Sequence, residues 1–285
     1  MVEATQPGTA VAAQPAGGAV AAYDYGAYAG AGFEGTTAAD FKPSFLQVLG
    51  GTSPALETVK GAKPGLIIDS VTNDLYDSVL VVPAVHEHVF VAWKPRTPDG
   101  GGAGGSAFGG VYQTNDKVVV EALKLVVPFS RGADGKLILP EVPGGEFQLV
   151  ETVYFHGVQV LGDAGLVPVS IAFYSTGLTV AKEWYTTMRR LTIPGTVNAM
   201  PLFAHVSKLG TEKSTRGSYT WYNFAPSWAN GDAISSRLAP DSELFKAGAA
   251  VYDAFKSGNS KVDYAQGGNA PAGGSDTTAD KAVPF

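Results

Sequence analysis

The residues between Lys182 and Trp228 combine positive charge with aromatic rings, the two features that hold a single-stranded polynucleotide. Between positions 182 and 216, six basic residues outnumber two acidic ones, which gives a local charge of +4. Basic side chains would neutralise phosphates, and exposed rings would stack on bases with about 1–3 kcal/mol each. The alternative is that most of these rings belong to the core. The candidate phosphate ligands are Lys182, Arg189, Arg190, Lys208, Lys213 and Arg216, and the candidate stacking rings are Trp184, Tyr185, Tyr219, Trp221 and Trp228.

A second candidate surface lies on the predicted strand around the segment VHEHVFVAWKPR. Side chains alternate along a strand, so His86, His88, Phe90 and Lys94 share one face, and the valines between them point to the core. Lys94 and Arg96 would extend the basic groove. Two histidines at this spacing could also bind a metal, but no third ligand is evident, so an ordinary solvated face is the favoured interpretation.

Sequence motifs for catalysis are nearly absent. Gly100, Gly102 and Gly105 have the G-x-G-x-x-G spacing, but no helical pattern follows and no Gly-Lys-Ser/Thr occurs, so a flexible loop is favoured over a phosphate cradle. The chain has no cysteine, which excludes disulfides, cysteine-based zinc sites and cysteine nucleophiles. We therefore predict a non-enzymatic protein without a cofactor or a metal.

Composition and charge indicate a soluble protein with charged flanks. The chain has 285 residues, of which 45% are hydrophobic, and a net charge of −6. No apolar run approaches the roughly 20 residues of a membrane helix, and no basic-then-apolar secretory signal is visible, so we expect a cytoplasmic location. Residues 1–40 carry −4, whereas residues 41–264 carry 19 basic and 20 acidic side chains. Overall charge is therefore a poor guide to binding partners.

The hydrophobic pattern predicts three regions: a disordered Ala/Gly-rich acidic arm over 1–40, a β-rich domain over 41–262, and a flexible tail over 263–285. Most of the domain has strand-like patterns, including the segment KVVVEALKLVVPF. Helical spacing predicts two helices, over 177–190 and over 241–257, the second with Asp241 as N-cap and Gly258 as stop. The expected fold is mainly β, an elaborated OB-fold-like Greek-key barrel.

Several blocks of the chain resemble a known protein family. DFKPSFLQVLGGTSPAL, KPGLIIDSVTNDLYDSVLVVP, FVAWKPR and STGLTVAKEWYTTM are similar to successive blocks of phage early-region proteins. That family is associated with DNA replication and recombination and regarded as OB-fold single-stranded DNA-binding proteins. The resemblance implies single-stranded DNA as the partner of this chain.

The last residues carry a separate resemblance. Val283, Pro284 and Phe285 are similar to the apolar-Pro-Phe ending of bacterial and phage single-stranded DNA-binding proteins, with Asp276 and Asp280 as the acids of that ending. The sequence departs from the pattern in having only two acids and in placing Lys281 among them. The resemblance implies that this segment recruits replication or recombination proteins.

The leading hypothesis is a phage protein that binds single-stranded DNA largely without sequence preference. The chief alternative is a structural virion protein, such as a capsid decoration or tail component, because Ala/Gly-rich acidic arms and β-rich cores suit that class too. A small-molecule hydrolase is disfavoured, since no nucleophile and base pair is apparent. A homo-oligomer is compatible with the sequence.

Overall fold

The computed structural model describes residues 44–94, 108–126, 138–145, 147–162, 165–217, 219–258, 262 and 264–266, all within one compact unit. In these ranges the chain is mainly β, as the sequence predicts. The strands are β1 (Ser44–Val48), β2 (Ile67–Asp69), β3 (Leu75–Tyr76), β4 (Val79–Trp93), β5 (Phe108–Gln113), β6 (Gln148–Val160), β7 (Leu166–Tyr174), β8 (Ser207–Arg216) and β9 (Tyr219–Trp228). The helices are α1 (Ala55–Thr58), α2 (Lys117–Leu125), α3 (Gly177–Arg189) and α4 (Glu243–Lys256), with 3-10 turns at Leu202–Ala204 and Tyr264–Gln266.

All nine described strands join one sheet: eight follow the order β3-β2-β1-β7-β6-β4-β8-β9, and β5 pairs with β4 outside this order. The long strand β4 pairs with β6 along one edge, while its other edge holds β8 at its beginning and β5 at its end. The sheet curls into a half-barrel, consistent with an OB-like fold. Its curvature brings β8 and β9 to the segment before β2, where the Thr211 hydroxyl donates to the Gly65 carbonyl at 2.5 Å and the Tyr222 ring lies against Gly65.

The two faces of the sheet are covered by different helices, because strand side chains alternate. On β6, Phe155 points towards α3, and its ring contacts Trp184 of that helix and His86 of β4. The neighbouring residue His156 points to the other face and stacks on Phe255 of α4, with 4.4 Å between ring centroids. The main core cluster lies under α3 and includes Phe173 of β7 and Phe224 of β9.

The two helices that the spacing predicts are present. In α3, Ala181, Trp184 and Met188 form the buried stripe expected from 3-4 spacing. Helix α4 begins one residue later than the sequence suggests, and its N-cap is Ser242 rather than Asp241, because the Ser242 hydroxyl accepts from the Phe245 amide at 3.3 Å. Gly258 follows with a φ of 71°, the left-handed conformation that ends many helices.

The segment from Lys117 to Leu125, predicted as a strand, is a helix instead. Three consecutive valines favour a strand locally, but Val119 and Ala122 are buried at a spacing of three and pack with Phe90 and Leu149. Tertiary packing therefore overrides the local preference. As a consequence Phe90, predicted on a solvated face, is only 7% exposed.

Candidate nucleic-acid interface

The hairpin of β8 and β9 carries three of the eight predicted basic ligands and lies at the end of the sheet. Only its first residues, 207–209, pair with β4, so most of the ten-residue strands continue past the sheet centre. Lys208 and Lys213 are exposed, and Lys213 lies directly opposite Tyr222. Arg216 pairs with Tyr219 at the hairpin turn, but the side chains of these two residues lie outside the described part of the structure.

The second group of basic residues lies on α3. Arg189 and Arg190 are exposed at the C-terminal end of this helix, where the helix dipole favours positive charge. Lys182 is also exposed, but its ammonium group is 3.3 Å from the Glu151 carboxylate, which partly neutralises it. The structure therefore leaves Arg189 and Arg190 as the stronger phosphate candidates on this helix.

Two of the predicted stacking rings pack against protein side chains instead of presenting a free face. Trp184 is 7% exposed, and its ring centroid is 4.3 Å from that of Phe155. This corrects the prediction for Trp184, which cannot stack on a base without leaving the core. Tyr185 is half-buried and already stacked on His86, with centroids 4.0 Å apart and planes at 21°.

The other two described rings, Trp221 and Trp228, are half-buried on opposite faces of β9. Trp221 lies opposite Ser214, and its indole nitrogen is buried without a hydrogen-bond partner among the described residues. Trp228 packs against the main core cluster and contacts His205, with 5.4 Å between ring centroids. Both rings keep part of their surface in solvent.

Lys94 lies at the end of β4 opposite to the residues that pair with the hairpin. It follows the last residue of β4, whereas the hairpin pairs with the first residues of that strand. Fourteen strand steps of about 3.3 Å place these ends roughly 45 Å apart along the strand. The strand pairing therefore gives no support for a groove shared by Lys94 and the hairpin, and Arg96 lies outside the described residues.

The histidine face of β4 is occupied by protein contacts. His88 Nε2 is 3.0 Å from a Glu151 oxygen, and the hydrogen bond from His88 is the main reason why the pKa of Glu151 is lowered. His86 is enclosed between Phe155 and Tyr185. Within the described ranges, no group of three or more His, Asp or Glu side chains is arranged to hold a metal ion.

Burial of His86 should make the stability of the fold depend on pH. Desolvation, helped by the nearby His88, lowers the pKa of His86 from 6.5 to about 4. Between these values the unfolded chain binds a proton that the folded chain does not, so stability falls as the pH decreases from 6.5 to 4. The variant His86→Phe keeps a ring but cannot bind this proton, so its unfolding free energy, measured with urea, should fall by about 1 kcal/mol less than that of wild type over this pH range. The difference is smaller than the full pKa shift implies, because His86 is only partly buried.

The unfolding free energy of wild type and of His86→Phe is measured in neutral and in acidic buffer, and the loss between the two buffers is compared. His205, whose pKa burial also lowers, contributes equally to both proteins. Equal losses in the two proteins would contradict the enclosed, neutral state of His86.

A buried polar chain on the opposite face was not anticipated from the sequence. The Ser170 hydroxyl is 2.8 Å from His156 Nδ1, and His156 Nε2 is 3.3 Å from Glu87. The Tyr264 hydroxyl donates to the same Glu87 oxygen at 2.7 Å. Burial raises the pKa of Glu87, but the hydrogen bonds to His156, Tyr264 and Gln113 outweigh it and lower the pKa overall.

The hydrogen-bonded series Ser170–His156–Glu87 has the residue types of a hydrolase triad in a different arrangement. In serine hydrolases the serine contacts Nε2 and the acid contacts Nδ1, whereas here the two nitrogens are exchanged. Ser170 is 3% exposed and His156 is 1% exposed, so neither faces solvent. The arrangement fixes Tyr264 on the sheet and gives Ser170 no access to a substrate. Sequence separations of 69 and 177 residues hide it from pattern analysis.

Several predicted features lie outside the described residues. They are the acidic arm over 1–40, the Gly100, Gly102 and Gly105 spacing, and the tail segment with Val283, Pro284 and Phe285.

Comparison with known proteins identifies one family. The sequence profile of the family described as Pam3 phage gp34-like protein matches residues 12–261. No curated protein and no solved structure matches the chain. Among the described helices, none has the length and apolar character needed to cross a bilayer.

Proposed function

Because the chain belongs to the Pam3 phage gp34-like protein family, we propose that it is a non-enzymatic phage protein that binds single-stranded DNA during replication or recombination. The observation that carries this proposal is the β8–β9 hairpin at the edge of the sheet, which carries exposed lysines on β8 and half-buried aromatic rings on β9. Helix α3, with its basic C-terminal end, lies on the side of the sheet to which Phe224 and Trp228 of β9 point.

The hairpin and α3 supply the two kinds of contact that a single strand needs. Arg189, Arg190, Lys208 and Lys213 are exposed and have no ion-pair partner within the described ranges, so their charges are available to phosphates. Trp228 is held in place by the core while part of its ring faces solvent. A fixed ring loses little entropy when a base stacks on it, which favours binding without sequence readout.

The proposal includes partner binding by Val283, Pro284 and Phe285. A phenylalanine ring would fill an apolar pocket on a replication or recombination protein, and Pro284 would restrict the approaching backbone. Asp276 and Asp280 would face a basic rim of that pocket. The host-cell cytoplasm is the compartment in which such partners and displaced DNA strands occur together.

One observation favours the structural virion alternative. Helix α2 leaves apolar side chains in solvent, since 45% of Leu123 and 85% of Leu125 are exposed. Exposed apolar patches are typical of surfaces that bind another protein. A subunit that packs against other virion proteins would cover these side chains. Retention on single-stranded DNA cellulose separates the two functions, because a virion subunit has no reason to be retained.

The direct test is a titration of oligo-dT, followed by fluorescence, at several salt concentrations. If four to six basic side chains contact phosphates, log K should fall linearly with log salt with a slope of about −3 to −4. Duplex DNA of the same length should bind far more weakly, because its bases cannot reach the rings. Affinity that does not change between about 50 and 200 mM salt would contradict the proposal.

A further inference from the structure

A groove of about 210 Å³ lies between α3 and β9. Helix α3 lines it with Glu183, Trp184 and Thr187, and β9 lines it with Pro226, Ser227 and Trp228. The volume is below the roughly 300 Å³ at which pockets for drug-sized ligands begin, so the groove admits one flat ring system rather than a whole cofactor.

The two tryptophans make this groove rigid. Trp184 packs against Phe155 and Phe173, so only its remaining edge reaches the groove and forms the floor. Trp228 packs on the core cluster and on His205, and its free side forms a wall. A flat ligand would therefore meet a preformed aromatic surface and would not have to order it.

Positive charge lies on the helix side of the groove. Glu183, Thr187 and Arg190 follow one another at four- and three-residue intervals, so Arg190 continues the helix face that lines the groove. On the β side, Ser227 pairs with Lys208, but Lys208 alternates with Leu209 of the core cluster under α3, so its side chain points to the other face of the sheet. A base held in the groove would therefore place its neighbouring phosphate near Arg190.

One of the residues that line the groove carries a carboxylate. Glu183 is exposed and forms no ion pair within the described part of the chain, although it lines the groove. A carboxylate would repel the phosphates of a strand, which argues against a role in general affinity. It is an acceptor-only group, however, and it suits a base that presents an amino group.

We propose that this groove holds one base of the bound strand and that Glu183 accepts a hydrogen bond from an exocyclic amino group. Cytosine offers its N4 amino group to such an acceptor, whereas thymine presents a carbonyl oxygen at that position. The protein therefore prefers cytosine to thymine at one position of an otherwise non-selective site. This inference rests on the proposed single-strand binding.

The test compares oligo-dC with oligo-dT, two pyrimidine strands of similar size, each about 15 nucleotides long and within the span of an OB-like site. Wild type should bind oligo-dC about tenfold more tightly than oligo-dT at the same salt concentration. In Glu183→Gln the amide can donate as well as accept, so the ratio should fall to within about twofold.

The control is Glu212→Gln, which removes the same charge from an exposed position of β8 that does not line the groove. This variant should bind both strands slightly better and keep the tenfold ratio. Equal binding of both strands by wild type, or the same ratio in Glu183→Gln and Glu212→Gln, would overturn the inference and leave the proposed function intact. If neither strand binds wild type, the proposed function itself fails.

Discussion

Reversing two charges, Arg190→Glu together with Lys213→Glu, should lower the affinity for oligo-dT at least about a hundredfold at moderate salt. Each substitution removes a phosphate contact and adds a repulsive charge beside the strand. Loss of two contacts should also reduce the steepness of the salt dependence by about 1.4, since each contact on a single strand contributes about 0.7. Fluorescence anisotropy across a salt series measures both quantities.

The matched control reverses Lys124 on α2 and Lys256 on α4, which are exposed and belong to helices that do not line the groove. Both double variants change the net charge by the same amount, from −6 to −10, because each replacement subtracts two. The control should retain affinity within a few-fold and keep its salt dependence. Equal losses in the two double variants would mean that overall charge, and not this surface, governs binding.

The choice of Arg190 and Lys213 follows from the structure. The Lys182 ammonium is paired with Glu151, and Lys94 lies at the far end of β4. Arg190 continues the face of α3 that lines the groove, and Lys213 lies on the same face of the hairpin as Leu209 and Trp228. Basic side chains can contact the same DNA strand when they lie on the side of the sheet where the core fixes the Trp228 ring. The number of basic residues in a sequence segment does not show this.

The spacing that predicts α3 also indicates that Trp184 is a core residue and not a stacking ring. A spacing of three and four residues between Ala181, Trp184 and Met188 defines the buried stripe of a helix, so a ring in that stripe belongs to the core. A strand such as β9 offers no equally clear indication. Its two faces both carry aromatic rings, and only the packing of Phe224 on Phe173 identifies the inner one.

Other features depend on contacts between distant segments. Helix α2 has a run of three valines that favours a strand, and it becomes a helix because Val119 and Ala122 fill the space above Phe90 and Leu149. The Glu87–His156–Ser170 chain joins three strands that have no sequence signal in common. Fold class and the predicted helices follow from local periodicity, whereas the covered faces of the sheet follow from tertiary packing.

Gly157 in β6 is the residue whose replacement should most disturb this fold. It lies opposite Pro83, where β4 has a register shift between Pro83 and Val85. A Cβ atom at Gly157 would collide with the Val82 carbonyl oxygen and come within 2.9 Å of the Pro83 Cα. Both are backbone atoms, so no side-chain rotation can relieve the contact, and a glycine inside a strand is the sequence sign of such a close approach.

Gly157→Ala should therefore destabilise the protein by about 3 kcal/mol, the upper part of the usual range for overpacking. In an unstrained strand the same substitution is neutral or stabilising, because alanine restricts the unfolded chain. Gly210→Ala in β8 is the control, since its nearest neighbour, the Ala225 carbonyl oxygen, would lie 3.9 Å from the new Cβ. Urea unfolding of both variants measures the difference.

The consequence should extend to binding. The register shift lies between the part of β4 that pairs with β8 and the part that pairs with β5. A backbone displacement there changes the angle at which the β8–β9 hairpin meets α3, and so changes the width of the groove between Trp184 and Trp228. Folded Gly157→Ala should bind oligo-dC with a reduced preference over oligo-dT, whereas Gly210→Ala should keep it. Unchanged stability in Gly157→Ala would show that β4 and β6 can separate without cost, and the groove would then not depend on this contact.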